Sequence, residues 1–435
     1  MHSEAVISEV RRESKVGDAR CVLCKGARAL CGKQRCPIIV KYHSRARLSP
    51  LFDQMGIDGS SPPGVFVGRF GYPKVYVGPL IPPQHGDTAL LDTPEHWTGL
   101  TIDQIVNFRF SLVRGMHLTH VRALESGGRI VEHTQELAMA SQPSEAEAQF
   151  ERRPYGKLTL DDEVQPFGPS TPIKRLDVGT LRIDHRIDRA HSDTDLRAVE
   201  AVQQLYKEGV LVSRVHKAFS VGAFGIKRHR RMVPTRWSIT AVDDILGKGL
   251  LDRTRTYPLI NEFRLYETEA LDNRWCVLLL PCTWRYELIE AWYPNTVWNP
   301  YGREVLMLAD HEGYQSRKEY AQIGGCYYAA RLAVNELLER ERRQAGAVVL
   351  REAHAGYIMP VGVWNVRENV RSALRSHPLL FSSLREALAH VEKRMAIPLR
   401  RWIGRSAVLS ELVYQRRIED FLEARDDRFE AMPGG

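Results

Sequence analysis

Stretches of alternating or β-branched apolar residues predict several strands in this chain. Residues 65–79 combine β-branched and aromatic residues with glycine, which predicts two short strands around a tight turn at 71–73. The apolar runs within 263–280 flank Asp272-Asn273, the pattern of a β-hairpin. Residues 303–308 predict another buried strand. We therefore expect sheet structure in at least two regions.

Other stretches repeat their apolar residues at helical spacing. Ile102, Ile105, Val106, Phe110 and Val113 predict a helix over 101–114. Further helices are predicted at 130–150 with an interruption at Pro143, and at 196–208, 329–343, 366–374, 383–395 and 408–425. Together these elements indicate the α+β class, with a mixed sheet and helix body and a helix-rich C-terminal third.

The composition changes along the chain and suggests four parts. Residues 1–50 form a basic four-cysteine module, 51–298 a mixed body, 299–408 a helix-rich domain and 409–435 a tail. The 435 residues, of which 43% are hydrophobic, suffice for two or three packed domains. Because no apolar run of about 18 residues and no signal-peptide pattern occurs, we expect a cytoplasmic protein without a membrane span.

Most of the positive charge is concentrated in two segments. The chain has 61 Lys or Arg and 53 Asp or Glu, a net charge of +8. Residues 1–50 contribute 11 − 4 = +7, and 211–236 contribute another +7 because this block has seven Lys or Arg and no acid. Since phosphate attraction depends on the local density of cations, this distribution indicates a polyanionic partner. Solvated basic faces without a partner are the competing interpretation.

Four of the seven cysteines have the spacing of a metal site. Cys21-x2-Cys24-x6-Cys31-x4-Cys36 can present four thiolates to one tetrahedral zinc ion. An iron–sulfur cluster uses the same donors, but nothing else in the chain indicates redox chemistry, so Zn²⁺ is the favoured cofactor. The remaining three cysteines are scattered in apolar surroundings, which indicates a reducing compartment rather than a disulfide framework: Cys276, Cys282 and Cys326.

The basic block and the 65–79 stretch supply candidate phosphate ligands. Glycines in this block lie beside cations and hydroxyls, and Trp237 offers a face on which a base can stack. The predicted ligand- or phosphate-binding residues are Arg69, Lys74, His216, Lys217, Arg236, Trp237 and Ser238. The competing interpretation is a solvated basic loop that leads into a helix capped at Ser238 or Thr240.

Candidate catalytic residues are few. Carboxylates and imidazoles at element ends can bind a divalent ion or transfer protons during phosphodiester hydrolysis, which singles out His216, Asp243, His311 and His354. No His-Glu-x2-His, paired-carboxylate or nucleophile-elbow motif accompanies them, so surface hydrogen bonding is the favoured interpretation for such residues. The sequence leaves open whether the chain is an enzyme.

A short motif near the C-terminus resembles the peptide that binds the sliding clamp PCNA. It consists of Gln415, Ile418, Phe421 and Leu422. One helical turn places the last three side chains on a single apolar plug, while the glutamine amide can hydrogen-bond in a separate pocket. An ordinary amphipathic terminal helix is the alternative.

Several motifs in the same order resemble the archaeal Nre family of DNA repair proteins. They are the four-cysteine module and residues 67–75, 233–243, 324–331 and 360–368. The resemblance covers nearly the whole chain and implies a cytoplasmic archaeal protein of the DNA damage response. It further implies an N-terminal zinc-finger-like module and a C-terminal PCNA-interaction motif. The motif departs from strong clamp peptides, which end in two aromatic residues, because Leu422 takes the second position.

Two classes of function follow from these features. The leading hypothesis is a DNA repair factor that is recruited by PCNA and binds DNA or a nucleotide-like ligand. The alternative is a hydrolase or transferase acting on nucleic-acid ends or on a nucleotide such as an ADP-ribose derivative. That alternative predicts one cleft joining Arg69, Lys74, His216, Arg236 and Asp243. A third interpretation, a zinc-containing RNA-binding protein of translation, leaves the clamp-type peptide unexplained.

Overall fold

The computed structural model describes residues 54–154, 168–296, 299, 303–357 and 361–414. The predicted zinc module and the predicted clamp-type peptide both lie outside the described residues. Within these ranges the chain forms eleven α-helices and two six-stranded mixed sheets. The predicted α+β class is therefore confirmed.

The first sheet lies in the N-terminal half. Its strands are β1 (Gly56–Ser61), β2 (Val65–Val67), β3 (Lys74–Ile81), β4 (Val113–His120), β5 (Ser144–Phe150) and β6 (Ser170–Val178). Their order across the sheet is β1-β5-β6-β4-β3-β2, with β4 and β6 parallel and all other neighbours antiparallel. Because β2 and β3 pair around the turn at 71–73, the first predicted hairpin is confirmed.

Six helices accompany this sheet. They are α1 (Ile102–Ser111), α2 (Arg129–Met139), α3 (His185–Ser192), α4 (Ala198–Lys207), α5 (Val212–Ser220) and α6 (Thr235–Thr254). Helices α2 to α6 contribute to one apolar core together with the sheet, where Val75 and Val77 meet side chains such as Leu137 and Val215. Burial of these side chains stabilises the N-terminal half by about 25 cal/mol per Å² of apolar surface removed from water.

The second sheet contains the second predicted hairpin. Its strands are β7 (Phe263–Ala270), β8 (Asn273–Leu280), β9 (Tyr286–Trp292), β10 (Leu306–Glu312), β11 (Gly346–Ala353) and β12 (Leu379–Phe381), in the order β10-β9-β11-β8-β7-β12. Leu271 and Asp272 connect β7 to β8 with positive φ angles of 52° and 55°, the conformation that a two-residue hairpin turn requires.

Helices cover both faces of this sheet. Helices α7 (Gly325–Glu341) and α8 (Trp364–Arg375) pack on one face, against side chains such as Val277 and Val349. Helices α9 (Leu384–Arg394), α10 (Leu399–Arg405) and α11 (Ala407–Tyr414) contribute to the core on the other face, against side chains such as Leu278 and Val348. Strand β11 is buried along its whole length between these layers, which explains the apolar run at 346–350; Arg351 and Glu352 beyond it are buried with partners.

Some elements differ from their predictions. The predicted helix over 130–150 ends at Met139, and residues 144–150 form β5, where buried and exposed positions alternate. Glutamate, alanine and glutamine favour helices, but here the twofold alternation and sheet pairing prevail. The strand predicted at 303–308 runs from Leu306 to Glu312 at the sheet edge, so Leu306 and Leu308 remain exposed.

Helix α6 connects the two halves of the molecule. It packs against α4 and α5 on the N-terminal side and against α7 on the other. It begins at Thr235 after Pro234, so Ser238 lies inside the first turns and does not cap the helix. In the part of the chain that the structure describes, no helix is both long enough and apolar enough to cross a lipid bilayer.

Candidate nucleic-acid interface

Three segments that are distant in sequence lie side by side at one end of the first sheet. They are the turn between β2 and β3, the chain just after β4, and the chain that enters α6. The backbone N–H of Val121 donates to the carbonyl of Pro73 at 2.9 Å, and the N–H of Met232 donates to the carbonyl of Val121 at 2.8 Å. The N–H of Val67 donates to Thr235 Oγ1 at 2.9 Å. The tertiary fold thus joins these segments into one surface.

This surface is strongly basic. Residues 68–76, 117–123 and 230–237 contain six Lys or Arg and no Asp or Glu. The six cations are Arg69, Lys74, Arg122, Arg230, Arg231 and Arg236. Four of them are exposed, whereas Arg69 and Arg230 are half-buried. Such a concentration of cations without acids attracts the phosphates of a nucleic acid.

The same surface exposes aromatic rings. Phe70 is 77% exposed, Tyr72 and Trp237 are each 45% exposed, and Tyr76 is 43% exposed. The Arg69 guanidinium lies over the Phe70 ring, 4.9 Å from its centroid. The rings of Tyr72 and Trp237 are 5.3 Å apart and tilted by 55°. We call these segments with their cations and rings the basic–aromatic surface.

The sheet extends this surface with a flat polar and apolar face. Lys74 pairs with His120 and Tyr76 pairs with Leu118 across β3 and β4, so all four side chains point to the same side. All four are exposed, while Val75 between them is buried in the core. Lys74 and Tyr76 therefore lie on the sheet itself, whereas Arg69, Phe70 and Tyr72 lie in the chain between β2 and β3.

The structure divides the predicted phosphate ligands between surface and interior. Arg69, Lys74, Arg236 and Trp237 come together in the basic–aromatic surface. The other three predicted ligands are buried: His216, Lys217 and Ser238. Composition could not reveal this division, because a basic block contains the same residues whether its helix faces the core or the solvent.

The buried residues have partners inside the protein. Ser238 Oγ donates to the carbonyl of His216 at 2.6 Å. Lys217 Nζ lies 2.9 Å from Asp92 Oδ2 and also donates to the Asp92 carbonyl at 2.6 Å. These contacts fasten α5 to α6 and to the loop before α1. Their role in the structure is to hold the helices beneath the surface.

His216 and Asp243 form a buried pair in which the carboxylate is ionised. Burial tends to raise the pKa of Asp243, but the charge of Arg367 and the hydrogen bond with His216 outweigh it and lower that pKa. Arg367 Nη1 contacts both Asp243 oxygens, at 2.9 and 3.0 Å. Burial lowers the pKa of His216, so the neutral ring donates Nε2–H to Asp243 Oδ1 at 3.2 Å. No part of Asp243 and only 5% of His216 is exposed.

Arg367 connects this pair to a network of charged residues on α7 and α8 that also includes Tyr206 of α4. Arg371 donates to Glu368 at 2.8 Å and to Glu336 at 2.7 Å. Tyr206 donates to Glu336 at 2.8 Å, and burial raises the pKa of the Tyr206 hydroxyl. Part of the network borders a shallow cleft of about 330 Å³ between α7 and α8. The network joins the N-terminal helices to the second sheet's helical layer.

The remaining catalytic candidates lie apart from this pair and from each other. His311 is exposed on the edge strand β10, opposite Glu287 of β9. His354 follows β11, where its ring stacks on Tyr293 at 4.3 Å and its Nε2 lies 3.2 Å from Glu352. The four candidates therefore do not form one site.

Another group of potential metal ligands occurs on the surface of the first sheet. Ligand atoms of Asp58, His85 and Glu145 lie within 4.8 Å of one another, and all three residues are exposed. The two imidazole nitrogens face different carboxylates, with Nδ1 2.6 Å from Glu145 and Nε2 3.7 Å from Asp58. The hydrogen bond to Glu145 raises the pKa of His85. The arrangement is that of a bridging ion pair between strands.

The three cysteines outside the predicted metal site are free thiols. Burial raises the pKa of Cys276 to about 12, and burial also raises the pKa of Cys282 and Cys326. They are therefore neutral at physiological pH and pack as small apolar side chains.

Two family models together match most of the chain. The family model for the N-terminal part of archaeal Nre matches residues 30–299, and the model for its C-terminal part matches residues 312–421. The second sheet takes strands from both parts of the chain, since β7 to β9 precede residue 299 and β11 and β12 follow residue 312.

Curated relatives match along most of the chain. The DNA repair protein NreB of Archaeoglobus fulgidus is 40% identical over 403 residues, which cover 92% of this chain and 100% of the relative. The DNA repair protein NreA of the same organism is 35% identical over 377 residues, 86% of this chain and 94% of the relative.

A relative from another organism agrees with these two. The DNA repair protein NreA of Haloferax volcanii is 34% identical over 352 residues, which cover 78% of this chain and 83% of the relative. No solved structure matches the chain significantly. The two family models and the three relatives show that the chain belongs to the archaeal Nre family.

Proposed function

We propose that this chain acts in DNA repair, binds DNA through the basic–aromatic surface and is recruited by the sliding clamp PCNA. The names of its relatives support the repair role. The observation that carries DNA binding is the surface itself, where three segments that contain six cations and no acid come together with exposed aromatic rings. Phosphate contacts supply affinity, and such contacts depend on salt because they release counterions.

Replacement of two exposed cations tests this proposal. Lys74→Gln with Arg236→Gln removes charges from two of the three segments without disturbing a buried contact. We expect DNA binding, measured by fluorescence anisotropy, to be about tenfold weaker. We also expect the slope of log K against log salt to correspond to about two fewer phosphate contacts. The fold is expected to be unchanged, because the side chains of Lys74 and Arg236 are both exposed.

The matched control removes the same charge from the opposite side of the second sheet. Arg400→Gln with Arg405→Gln changes two exposed arginines of α10. The control variant is expected to bind DNA as the unmodified protein does. Equal losses in both double variants, or no DNA binding by the unmodified protein at low salt, would show that this surface is not the DNA site.

We propose clamp recruitment for the motif of Gln415, Ile418, Phe421 and Leu422, which directly follows α11. Its spacing and the family resemblance support this role. Since leucine buries less surface than the second aromatic ring of strong clamp peptides, we expect modest affinity.

We also propose that Cys21, Cys24, Cys31 and Cys36 hold one Zn²⁺. Four thiolates are a donor set that fits a closed tetrahedral zinc site, in which the ion stabilises the local fold and carries out no reaction. Elemental analysis is expected to find one zinc per chain, and none after Cys21→Ser with Cys24→Ser. Iron, or no metal in the unmodified protein, would contradict the proposal.

The enzymatic alternative required one cleft, and the described residues do not supply it. Arg69, Lys74 and Arg236 lie on the surface, whereas His216 and Asp243 are buried beneath it with partners of their own. A substrate at the surface would not reach the buried pair without rearrangement of the helices. Binding, rather than hydrolysis or group transfer, is therefore the function that we propose for this region.

A further inference from the structure

We infer that the basic–aromatic surface is selective for DNA with unpaired bases, which stack on Phe70, Tyr72 and Trp237. The inference rests on the proposed function, because it assumes that this surface binds DNA. It adds the substrate class: single-stranded or gapped DNA rather than an intact duplex. The exposure of the rings, the contacts that bring them together, and the cations near them in sequence carry it.

The exposure of the rings has no explanation in the fold. A phenylalanine that is 77% exposed loses the free energy that burial would provide, and scattered exposure does not account for four aromatic residues on one surface. The Arg69 guanidinium lies over Phe70 at 4.9 Å, so it can support the ring from one side while a base stacks on the other. Such a ring is a platform for a flat partner.

Tyr72 and Trp237 form a second platform. Their ring centroids are 5.3 Å apart and their planes are tilted by 55°, so the two rings contact each other without stacking, and each residue remains 45% exposed. Backbone hydrogen bonds order the chain that carries them, since the N–H of Lys74 donates to the carbonyl of Gly71 at 2.9 Å and the N–H of Trp237 donates to the carbonyl of Pro234 at 2.8 Å. The two rings therefore lie side by side and partly exposed on an ordered backbone.

Each ring has a cation close to it in sequence. Arg69 precedes Phe70, Lys74 follows Tyr72 by two residues, and Arg236 precedes Trp237. A single strand offers one phosphate for every base, so a surface that holds both cations and rings can contact both groups. In an intact duplex both faces of each base are already stacked on neighbouring base pairs. The rings can bind bases only where pairing and stacking are interrupted.

Titrations of two DNAs test the inference. A labelled strand of about 20 nucleotides is compared with the same strand in a blunt duplex, by anisotropy at several salt concentrations. The full-length protein is expected to bind the single strand at least about tenfold more tightly than the duplex. Phe70→Leu with Trp237→Leu is expected to weaken binding of the single strand about tenfold more than binding of the duplex, and so to remove this preference.

Two further variants make the result specific. Tyr414→Leu removes a ring that is 72% exposed on α11, across the second sheet, and is expected to keep the preference for the single strand. Trp237→Phe retains a ring and is expected to keep most of the affinity that Trp237→Leu loses. Quenching of tryptophan fluorescence by the single strand should disappear in Trp237→Phe if a base stacks on this residue.

The possible outcomes separate this inference from the proposed function. If Lys74→Gln with Arg236→Gln weakens binding but the duplex binds as tightly as the single strand, DNA binding stands and base stacking is wrong. The same conclusion follows if the leucine variants bind both DNAs normally. If the charge variants affect neither DNA, the proposed function fails, and the inference fails with it.

Discussion

Asp243 carries a buried negative charge whose counter-ion, Arg367, lies on another helix. Its carboxylate is inaccessible to water, and Arg367 of α8 contacts both of its oxygens. Transfer of an ion into the protein interior costs several kcal/mol unless a counter-ion compensates it. The pair therefore connects α6 to α8 and makes the junction of the two halves sensitive to either residue.

We predict that Arg367→Met lowers the free energy of unfolding by about 3 to 5 kcal/mol, because Asp243 is left buried without a counter-ion. Urea denaturation measures the change. Arg375→Met, on the exposed end of the same helix, serves as the control and is expected to cost less than about 0.5 kcal/mol. Similar losses for both variants would show that the buried charge pair does not govern stability.

Residue types and spacing predicted part of the basic–aromatic surface. Arg69, Lys74, Arg236 and Trp237 could be named from the sequence because cations, glycines and aromatic residues alternate there. The exposure of Phe70 and Tyr72 could not be predicted, since a strand pattern with aromatic residues indicates burial as readily as exposure. Arg122 gave no local signal and joins the surface only through the hydrogen bonds of its neighbours.

At the scale of elements, Asp184 links helix formation to pH. Asp184 caps α3 and accepts hydrogen bonds from the backbone and the side chain of Arg186. Burial alone would raise its pKa, but these hydrogen bonds and the charges of Arg214 and Arg186 lower it to about 2, from an ordinary value of 3.8. A group whose pKa is lower in the folded state stabilises the fold above its unfolded pKa.

We predict that Asp184→Asn costs about 1 kcal/mol at neutral pH, because asparagine keeps the cap but loses the charge. The difference from the unmodified protein should decrease as pH falls from about 4 toward 2, where the aspartate itself becomes protonated. Urea denaturation at about pH 7, 5 and 3 measures it. Asp188→Asn, exposed on the same helix, should lack this pH dependence; an equal dependence would contradict the prediction.

Helices and strands were predicted correctly where one hydrophobic period, helical or twofold, dominated the sequence. Both hairpins carry strong turn signals, and α4 is well marked because Gly209 follows it closely with a positive φ of 79°. The prediction was wrong for 144–150, where helix-forming residue types occupy a strand whose twofold alternation is matched by a partner strand. Strand β11 was missed because a continuous apolar run fits a buried helix equally well.

At the scale of the whole molecule, the proposed functions occupy separate regions. The basic–aromatic surface lies on the first sheet, whereas α11, which precedes the clamp-type motif in sequence, packs on the face of the second sheet opposite α7 and α8. Recruitment and DNA binding are therefore expected to be separable by mutation.

We predict that Phe421→Ala with Leu422→Ala abolishes binding to the sliding clamp of the same organism, because both apolar contacts of the plug are lost. Calorimetric titration measures the binding, and thermal unfolding confirms that the fold is intact. Tyr414→Ala changes an exposed aromatic residue just before the motif and is expected to bind normally. Normal clamp binding by the double variant would show that residues 415–422 are not a clamp-binding motif and would favour the alternative of an ordinary terminal helix.

The sequence by itself determined the α+β class, the two hairpins, the family and most of the cations from which the surface is built. These properties depend on local periodicity, turn chemistry and ordered motifs, all of which act over short distances. Only the tertiary structure decided that three remote segments form one surface, and that His216, Lys217, Ser238 and Asp243 lie beneath it. The physical reason is that the burial and the pairing of a side chain depend on which distant elements pack together. The sequence of one segment does not specify which other segments will contact it.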